Sequence, residues 1–183
     1  MPELPEVETT RRGIASAVTG QSITRIIVRE PRLRWRLTDD FAMLLESQRI
    51  REVGRRAKYL LLRLDHGVLI VHLGMSGSLR VLPANTAALK HDHVDLLLDS
   101  GQCLRFNDPR RFGSMHYTID DAAQHPLLKR LAPEPLGEKF TADYLVGKAR
   151  GRKVAIKQFI MNGNLVVGVG NIYASEALFR AGI

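Results

Sequence analysis

The sequence predicts an α+β protein: a leading helix on a domain of short β-strands, then a small basic helical segment. Three observations carry this reading. Val7, Ile14 and Val18 recur at seven- and four-residue intervals, one stripe of a helix over 5–18. From 59 to 118 the chain is a succession of short apolar or alternating runs separated by Gly-, Asp- and Pro-rich turns, the pattern of a β-sandwich or barrel. Beyond the connector Ala132-Pro133-Glu134-Pro135-Leu136-Gly137 the runs lengthen to helical stretches over 142–149, 154–161 and 171–180. The expected division is a β domain over 1–131, a linker over 132–140 and a helical segment over 141–183.

Each element has a local cause. Acidic residues crowd the first turn of the leading helix, Arg11 and Arg12 come later, and Gly20 can end it. Residues 22–29 are β-branched and partly alternating, a strand. Thr38 with Asp39 and Asp40 behind it caps a short helix carrying Phe41, Leu44 and Leu45. Residues 59–64 and 68–73 form strands joined at Asp65-His66-Gly67, and 78–82 resumes after Gly74-Met75-Ser76-Gly77. Strands over 91–98 and 103–106 meet at Ser100-Gly101, and 114–118 follows the loop Asp108-Pro109-Arg110-Arg111-Phe112-Gly113.

The 183 residues suffice for one good core, and 45% hydrophobic with 25% charged residues excludes a disordered chain. A net charge of +8 calls for a polyanionic partner. Half of it lies in residues 141–183, where six Lys or Arg face only Asp143 and Glu176. Cys103 is alone, so no disulfide framework or thiolate zinc site can form within the chain. No apolar run approaches membrane-spanning length and no signal-peptide core is present, so a cytoplasmic protein without a membrane partner is expected.

Five stretches carry candidate chemistry. Read alone, Met1-Pro2-Glu3-Leu4-Pro5-Glu6-Val7-Glu8 is a helix start, with Pro5 in the first turn and acids at its positive end. If Met1 is trimmed, however, Pro2 becomes a secondary amine that titrates near neutrality, beside a carboxylate able to act as acid and base. Lys58, at the mouth of a hydrophobic strand, is either a solvated strand end or a buried amine with a lowered pKa. His91, His93 and Asp95 alternate onto one strand face; with His72 and Asp108 nearby they have the residue types of a divalent-metal site, or else bond within the sheet or touch phosphate. Gly168-Val169-Gly170-Asn171 lacks the third Gly of a dinucleotide fingerprint, because Tyr173 stands there; it is better read as a helix N-terminus whose free amides, with Asn171, grip a phosphate. Met75, Arg110 and Phe112 sit in Gly-flanked turns, either as ordinary packing or as wedges for an opened base stack.

Taken in order, the first eight residues, Arg56-Ala57-Lys58-Tyr59-Leu60, His72-Leu73-Gly74-Met75-Ser76-Gly77, Lys90-His91-Asp92-His93, the 108–113 loop and Gly168 to Glu176 closely resemble the bacterial formamidopyrimidine-DNA glycosylase family, over the whole chain. The resemblance implies a helix on a β-sandwich followed by a partial helix–two-turn–helix segment. It implies a bifunctional repair enzyme acting, as a monomer, on double-stranded DNA containing oxidised purines such as 8-oxoguanine. Pro2 would be the nucleophile that forms a Schiff base at the sugar C1′, Glu3 the acid that helps open the sugar, and Lys58 the proton donor in β-elimination. Met75, Arg110 and Phe112 would fill the space left by the flipped base, Arg110 facing the orphaned cytosine. His72, His91, Arg152 and Asn171 would contact phosphates, with Lys157 near the lesion. Leu4 and the Met–Arg–Phe set distinguish the chain from the endonuclease VIII family, which prefers oxidised pyrimidines.

The family continues past the position of Ile183 with the rest of the helical module and a four-cysteine finger holding one zinc ion. The chain is therefore expected to be a fragment or a C-terminally truncated product, with no metal or cofactor of its own and weakened DNA affinity, since lost phosphate contacts multiply through the binding constant. Two other classes remain open on the residues alone: a non-catalytic module that binds damaged DNA, and a metal-dependent phosphodiesterase centred on His91, His93 and Asp95.

Overall fold

The computed structural model describes residues 2–183; Met1, and with it the question of its removal, lies outside them. The order of elements is α1 (Leu4–Val18), β1 (Ile23–Val28), α2 (Phe41–Leu45), β2 (Ile50–Arg56), β3 (Tyr59–Leu64), β4 (Val68–His72), β5 (Ser78–Pro83), β6 (Asp92–Leu98), β7 (Gln102–Asn107), β8 (Ser114–Thr118), α3 (Ala142–Ala149), α4 (Ile156–Ile160) and α5 (Asn171–Ala181).

The strands form two four-stranded antiparallel sheets, ordered β1-β6-β7-β5 and β2-β3-β4-β8, so the β domain is a sandwich and not a barrel. Leu60, Leu62, Leu69 and Val71 of one sheet meet Leu96, Leu104 and Phe106 of the other in a shared core. The apolar stripe of α1 joins that core, and the helix lies against the edge strands β2 and β5, closing the side of the sandwich. Continuous apolar runs in β3 and β4 follow from burial on both faces, because Leu61, Val68 and Ile70 point outward under Ala122 and Leu128.

Five expectations change. Strand β2 has no counterpart in the sequence pattern: its buried residues Ile50 and Val53 are three apart, because an irregularity between Ile50 and Glu52 breaks the two-residue period. Thr38 does not cap α2; Asp40 precedes that helix without a side-chain bond, and Thr38 contributes only its carbonyl to the Phe41 N–H, at 3.1 Å. His91 stands outside β6 with φ +76, and α4 is shorter than the 154–161 stretch. The 132–140 connector is docked at its start, with Ala132 buried against Ala57 and Val167 and the Pro133 carbonyl accepting from the Val167 N–H at 3.1 Å.

Candidate active site and nucleic-acid interface

The first residues of α1 run into the start of α5. Glu3 is buried, 3% exposed, although it is a carboxylate. Its oxygens accept N–H bonds from Gly170 at 2.9 Å, Ile172 at 2.9 Å and Tyr173 at 3.2 Å. The positive end of α5 therefore holds an anion, supplied by the chain itself. This narrows the phosphate reading of the 168–171 stretch: the Gly170, Ile172 and Tyr173 amides are taken by Glu3, while the Asn171 side chain is exposed at the same helix start. The two glycines are there for closeness. A Cβ on Gly170 would sit 2.5 Å from Glu3 Oε1, and one on Gly168 would meet the Leu4 side chain at 2.5 Å. The Leu4 N–H also donates to the Gly168 carbonyl at 3.1 Å, and the Glu3 N–H to Glu6 Oε2 at 2.9 Å.

Lys58 follows Ala57 (φ +52) in the tight β2–β3 turn. That turn is clamped from the connector. Glu134 accepts from Arg55 at 2.9 Å, Arg56 at 2.8 Å and the Ala57 N–H at 2.7 Å. Arg55 also reaches Glu8 on α1 at 3.1 Å, and Arg56 donates to the carbonyls of Leu131 and Ala132. Burial raises the Glu134 carboxyl, but the Ala57 N–H and the two guanidinia outweigh it and hold it below the usual glutamate range. Burial also lowers the Lys58 ammonium below lysine's ordinary range, opposed in part by the charges of Glu3 and Glu6. Glu3, Lys58 and Asn171 share a solvent-facing recess of about 380 Å³, also lined by Met161 and Val169.

His72, at the end of β4, lies between this region and a second hollow. Burial, reinforced by the charges of Arg34 and Lys58, lowers its pKa to about 4, so the ring is neutral near pH 7. Its Nδ1 accepts the Gly74 N–H at 3.0 Å, which leaves Nε2 as the protonated nitrogen and a donor. The second hollow, about 490 Å³, is lined by His72, Arg34, Met75, Arg111 and Phe112. Met75 and Phe112 are largely exposed apolar side chains there, and the Arg110 guanidinium lies 4.8 Å from the Phe112 ring centre. A larger hollow of about 540 Å³ behind α5 is almost wholly apolar and includes Leu136, Phe140, Ile156 and Leu178.

Of the residues singled out in the sequence, Glu3, Lys58 and Asn171 thus meet at one recess, with Pro2 covalently beside it. His72, Met75 and Phe112 meet at the other, with Arg110 stacked on its rim. His91, Arg152 and Lys157 line neither: His91 is in the turn before β6, Arg152 is exposed between α3 and α4, and Lys157 is half-buried on α4. Sequence reasoning missed Arg34 and the Glu134–Arg55–Arg56 clamp. A lone acid in a Pro-rich connector gives no signal that it reaches a turn nearly eighty positions earlier.

The metal grouping is not formed. Asp95 accepts from Arg105 at 2.8 and 2.9 Å and from Arg29 at 2.7 Å; burial raises its carboxyl, but the guanidinia outweigh this and hold it below the aspartate range. His93 Nε2 lies 2.7 Å from the Asp108 carbonyl, and His91 has left the strand. Among the described residues no group of three or more His, Cys, Asp or Glu could hold a metal ion. Cys103, buried on β7 with its thiol raised to about 11 by burial first of all, offers no thiolate cluster for the zinc that the resemblance implies in a longer chain. The residues present do not fit that group. No helix among the described residues is long and apolar enough to cross a membrane.

Residues 1–115 match the family model for the formamidopyrimidine-DNA glycosylase N-terminal domain, and residues 131–183 that for the H2TH domain of the same enzymes. A formamidopyrimidine-DNA glycosylase from Thioalkalivibrio sulfidiphilus is 62% identical over 183 residues, all of this chain and 68% of the relative. Its counterpart from Stutzerimonas stutzeri is 60% identical over the same span, 67% of that protein. The chain thus spans about two thirds of the length of these relatives. Among solved structures, the Lactococcus lactis enzyme non-covalently bound to an AP-site-containing DNA superimposes with a TM-score of 0.91 at 33% identity, covering 99% of this chain and 70% of that one. The wild-type L. lactis enzyme with an oxidised-pyrimidine-containing DNA gives 0.92 at 34% identity, covering 100% and 69%.

Proposed function

The chain belongs to the formamidopyrimidine-DNA glycosylase family, and on that premise we propose that it excises oxidised purines from double-stranded DNA and then nicks the abasic site. Once Met1 is removed, the Pro2 secondary amine attacks C1′ of the damaged nucleotide. The base leaves as the C1′–N bond breaks and takes up a proton from solvent; the Glu3 carboxylate passes the proton given up by the attacking amine to the sugar ring oxygen, the ring opens, and an iminium forms between Pro2 and C1′. That electron sink acidifies C2′–H; its loss expels the 3′ phosphate by β-elimination, with Lys58 the proton donor. Met75, Arg110 and Phe112 enter the stack as the base leaves it, and Arg110 faces the orphaned cytosine. Flipping costs a few kcal/mol of stacking, which the inserted side chains partly offset. His72, His91, Arg152 and Asn171 contact phosphates, and Lys157 lies near the lesion. The enzyme works as a monomer in the bacterial cytoplasm, and these steps use no metal.

One observation carries the reading. The carboxylate next to Pro2 is buried and oriented by three α5 amides at the recess that also takes Lys58, with the recess open to solvent. A structural glutamate alone has no need of a desolvated amine beside it. The N–H cradle fixes that carboxylate beside Pro2, where it can relay a proton and face the positive charge that develops at C1′.

The test is a duplex carrying one 8-oxoguanine opposite cytosine, beside matched duplexes with an oxidised pyrimidine and with no lesion, all in chelator. Base release and a nick at 8-oxoguanine without added metal is the expected result. Lesion-preferring, salt-sensitive binding without base release would instead make the chain a damaged-DNA-binding module. Chelator-abolished cleavage of undamaged DNA would restore the phosphodiesterase reading.

A further inference from the structure

Met75 and the Arg110–Phe112 pair stand on different loops, residues 74–77 between β4 and β5 and residues 108–113 between β7 and β8. For three side chains to enter a base stack together, the two loops have to move as one body. Their backbones already touch: Gly74 has φ +64, and a Cβ there would sit 2.7 Å from the Phe112 carbonyl oxygen and overlap the Gly113 nitrogen. The second loop opens with Asp108, fully buried at 0% exposure. Its Oδ1 accepts from Ser76 Oγ at 2.7 Å, and its Oδ2 from the Gly113 N–H at 2.7 Å. Ser76 Oγ in turn accepts the Arg110 N–H at 3.2 Å. The Asp108 backbone is engaged as well: its N–H donates to the His91 carbonyl at 3.1 Å, and its carbonyl meets the Arg111 N–H at 3.2 Å and His93 Nε2 at 2.7 Å.

Every polar atom of Asp108 is therefore directed inward, which leaves none for a ligand. A buried carboxylate is costly unless its bonds do something the fold requires. Here the Gly113 bond ties the 108–113 loop to itself, the Ser76 bond crosses to the other loop, and the same serine hydroxyl passes the link back to the backbone of Arg110. We propose that Ser76 and Asp108 are positioning residues that staple the two loops, so that Met75, Arg110 and Phe112 are presented to DNA as one preordered unit. The ordering cost of two exposed loops is met in folding and not at each encounter with DNA. This inference rests on the reading, given above, that the three side chains enter the base stack.

The decisive variant is Ser76→Ala, which removes the hydroxyl relay and leaves the Asp108–Gly113 bond in place; Ser76→Thr keeps a hydroxyl at the same atom. Three readouts are taken on the whole chain with Met1 removed. The first is thermal unfolding. The second is the fluorescence rise of 2-aminopurine placed next to a tetrahydrofuran abasic analogue in duplex DNA, together with the preference for cytosine opposite the lesion. The third is borohydride trapping on single-stranded abasic DNA, which needs no wedge. Ser76→Ala is expected to slow the fluorescence rise about tenfold and flatten the opposite-base preference, with single-strand trapping within twofold of the parent and Ser76→Thr restoring both. Parental insertion kinetics and opposite-base preference in Ser76→Ala would overturn the staple. So would an equal loss in single-strand trapping or a collapse of thermal stability, either of which would make Ser76 a general structural residue. If the parent itself traps abasic DNA but gives no fluorescence rise, the wedge reading has failed, and the staple falls with it.

Discussion

Replacing Gly170 by alanine isolates the contact on which the site is built. Gly170 has φ −123 and ψ −161, extended backbone that any residue adopts, so the substitution carries no conformational penalty. Its whole effect is steric. The added methyl would lie 2.5 Å from Glu3 Oε1, in a space where Glu3 is 3% exposed and has nowhere to retreat except out of the α5 cradle. Leaving the cradle breaks N–H bonds of 2.9, 2.9 and 3.2 Å to a charged acceptor. Such bonds contribute about 1.5–3 kcal/mol each, and solvent re-pairing recovers part of that, so a net loss of about 3 kcal/mol is expected. For a chain of this size that lowers the melting temperature by roughly 6–12 °C. Displacing the acid from beside Pro2 is expected to slow base release by about 10²–10⁴-fold in single-turnover assays on 8-oxoguanine duplex. Gly147→Ala is the control, since nothing lies within 4 Å of the place its methyl would take and it stands in a helix, where alanine is favoured. A Gly170→Ala protein with parental melting and an excision rate within twofold would refute the reasoning, because Glu3 would then be neither held by α5 nor needed there.

Three other perturbations address the surroundings. Glu134→Gln weakens the clamp on Arg55, Arg56 and the Ala57 N–H, and in this partly exposed setting is expected to cost about 2 kcal/mol in urea unfolding. Because the folded carboxyl lies below its ordinary value near 4.5, its stabilisation is present above that pH and lost as pH falls through the folded value, so the variant should flatten the acid side of the stability curve. Burial lowers Lys58, so the alkaline limb of the strand-cleavage rate is expected below the ordinary lysine value of 10.5; Lys58→Gln should remove that limb and slow cleavage more than base release. Arg105→Met leaves the buried Asp95 with Arg29 alone and Asp92 with Arg80 alone, at 3.5 Å, and is expected to cost about 3 kcal/mol by denaturant unfolding while sparing base release per folded molecule.

What could be read from the sequence was whatever depends on short spacing. The α1 stripe, the β3–β4 hairpin at Asp65-His66-Gly67 and the helix from Asn171 follow from periodicity and turn chemistry, and the structure has all three. Strand β2 was hidden because its irregularity puts Ile50 and Val53 out of the two-residue rhythm. The face-sharing of His91, His93 and Asp95 failed for a related reason: His91 takes a left-handed turn, and the β6–β7 pairing shifts register between Asp92 and Val94. The use of the Gly168–Gly170 stretch was beyond local reading altogether. Its anion comes from Glu3, 167 positions away, and only the tertiary fold brings a carboxylate to amides that in isolation look free for phosphate. Glu134 is the same case from the other side, a connector residue whose partners lie in a distant turn.

The most direct measurement is borohydride reduction of the protein, with Met1 shown by intact mass to be absent, mixed with 8-oxoguanine duplex in chelator, followed by peptide mapping of the cross-link. A covalent adduct on the Pro2 nitrogen, formed without metal and absent with undamaged DNA, is the expected result. An adduct on Lys58 or another amine, or excision with no trappable intermediate at all, would contradict the assignment of Pro2 as the nucleophile.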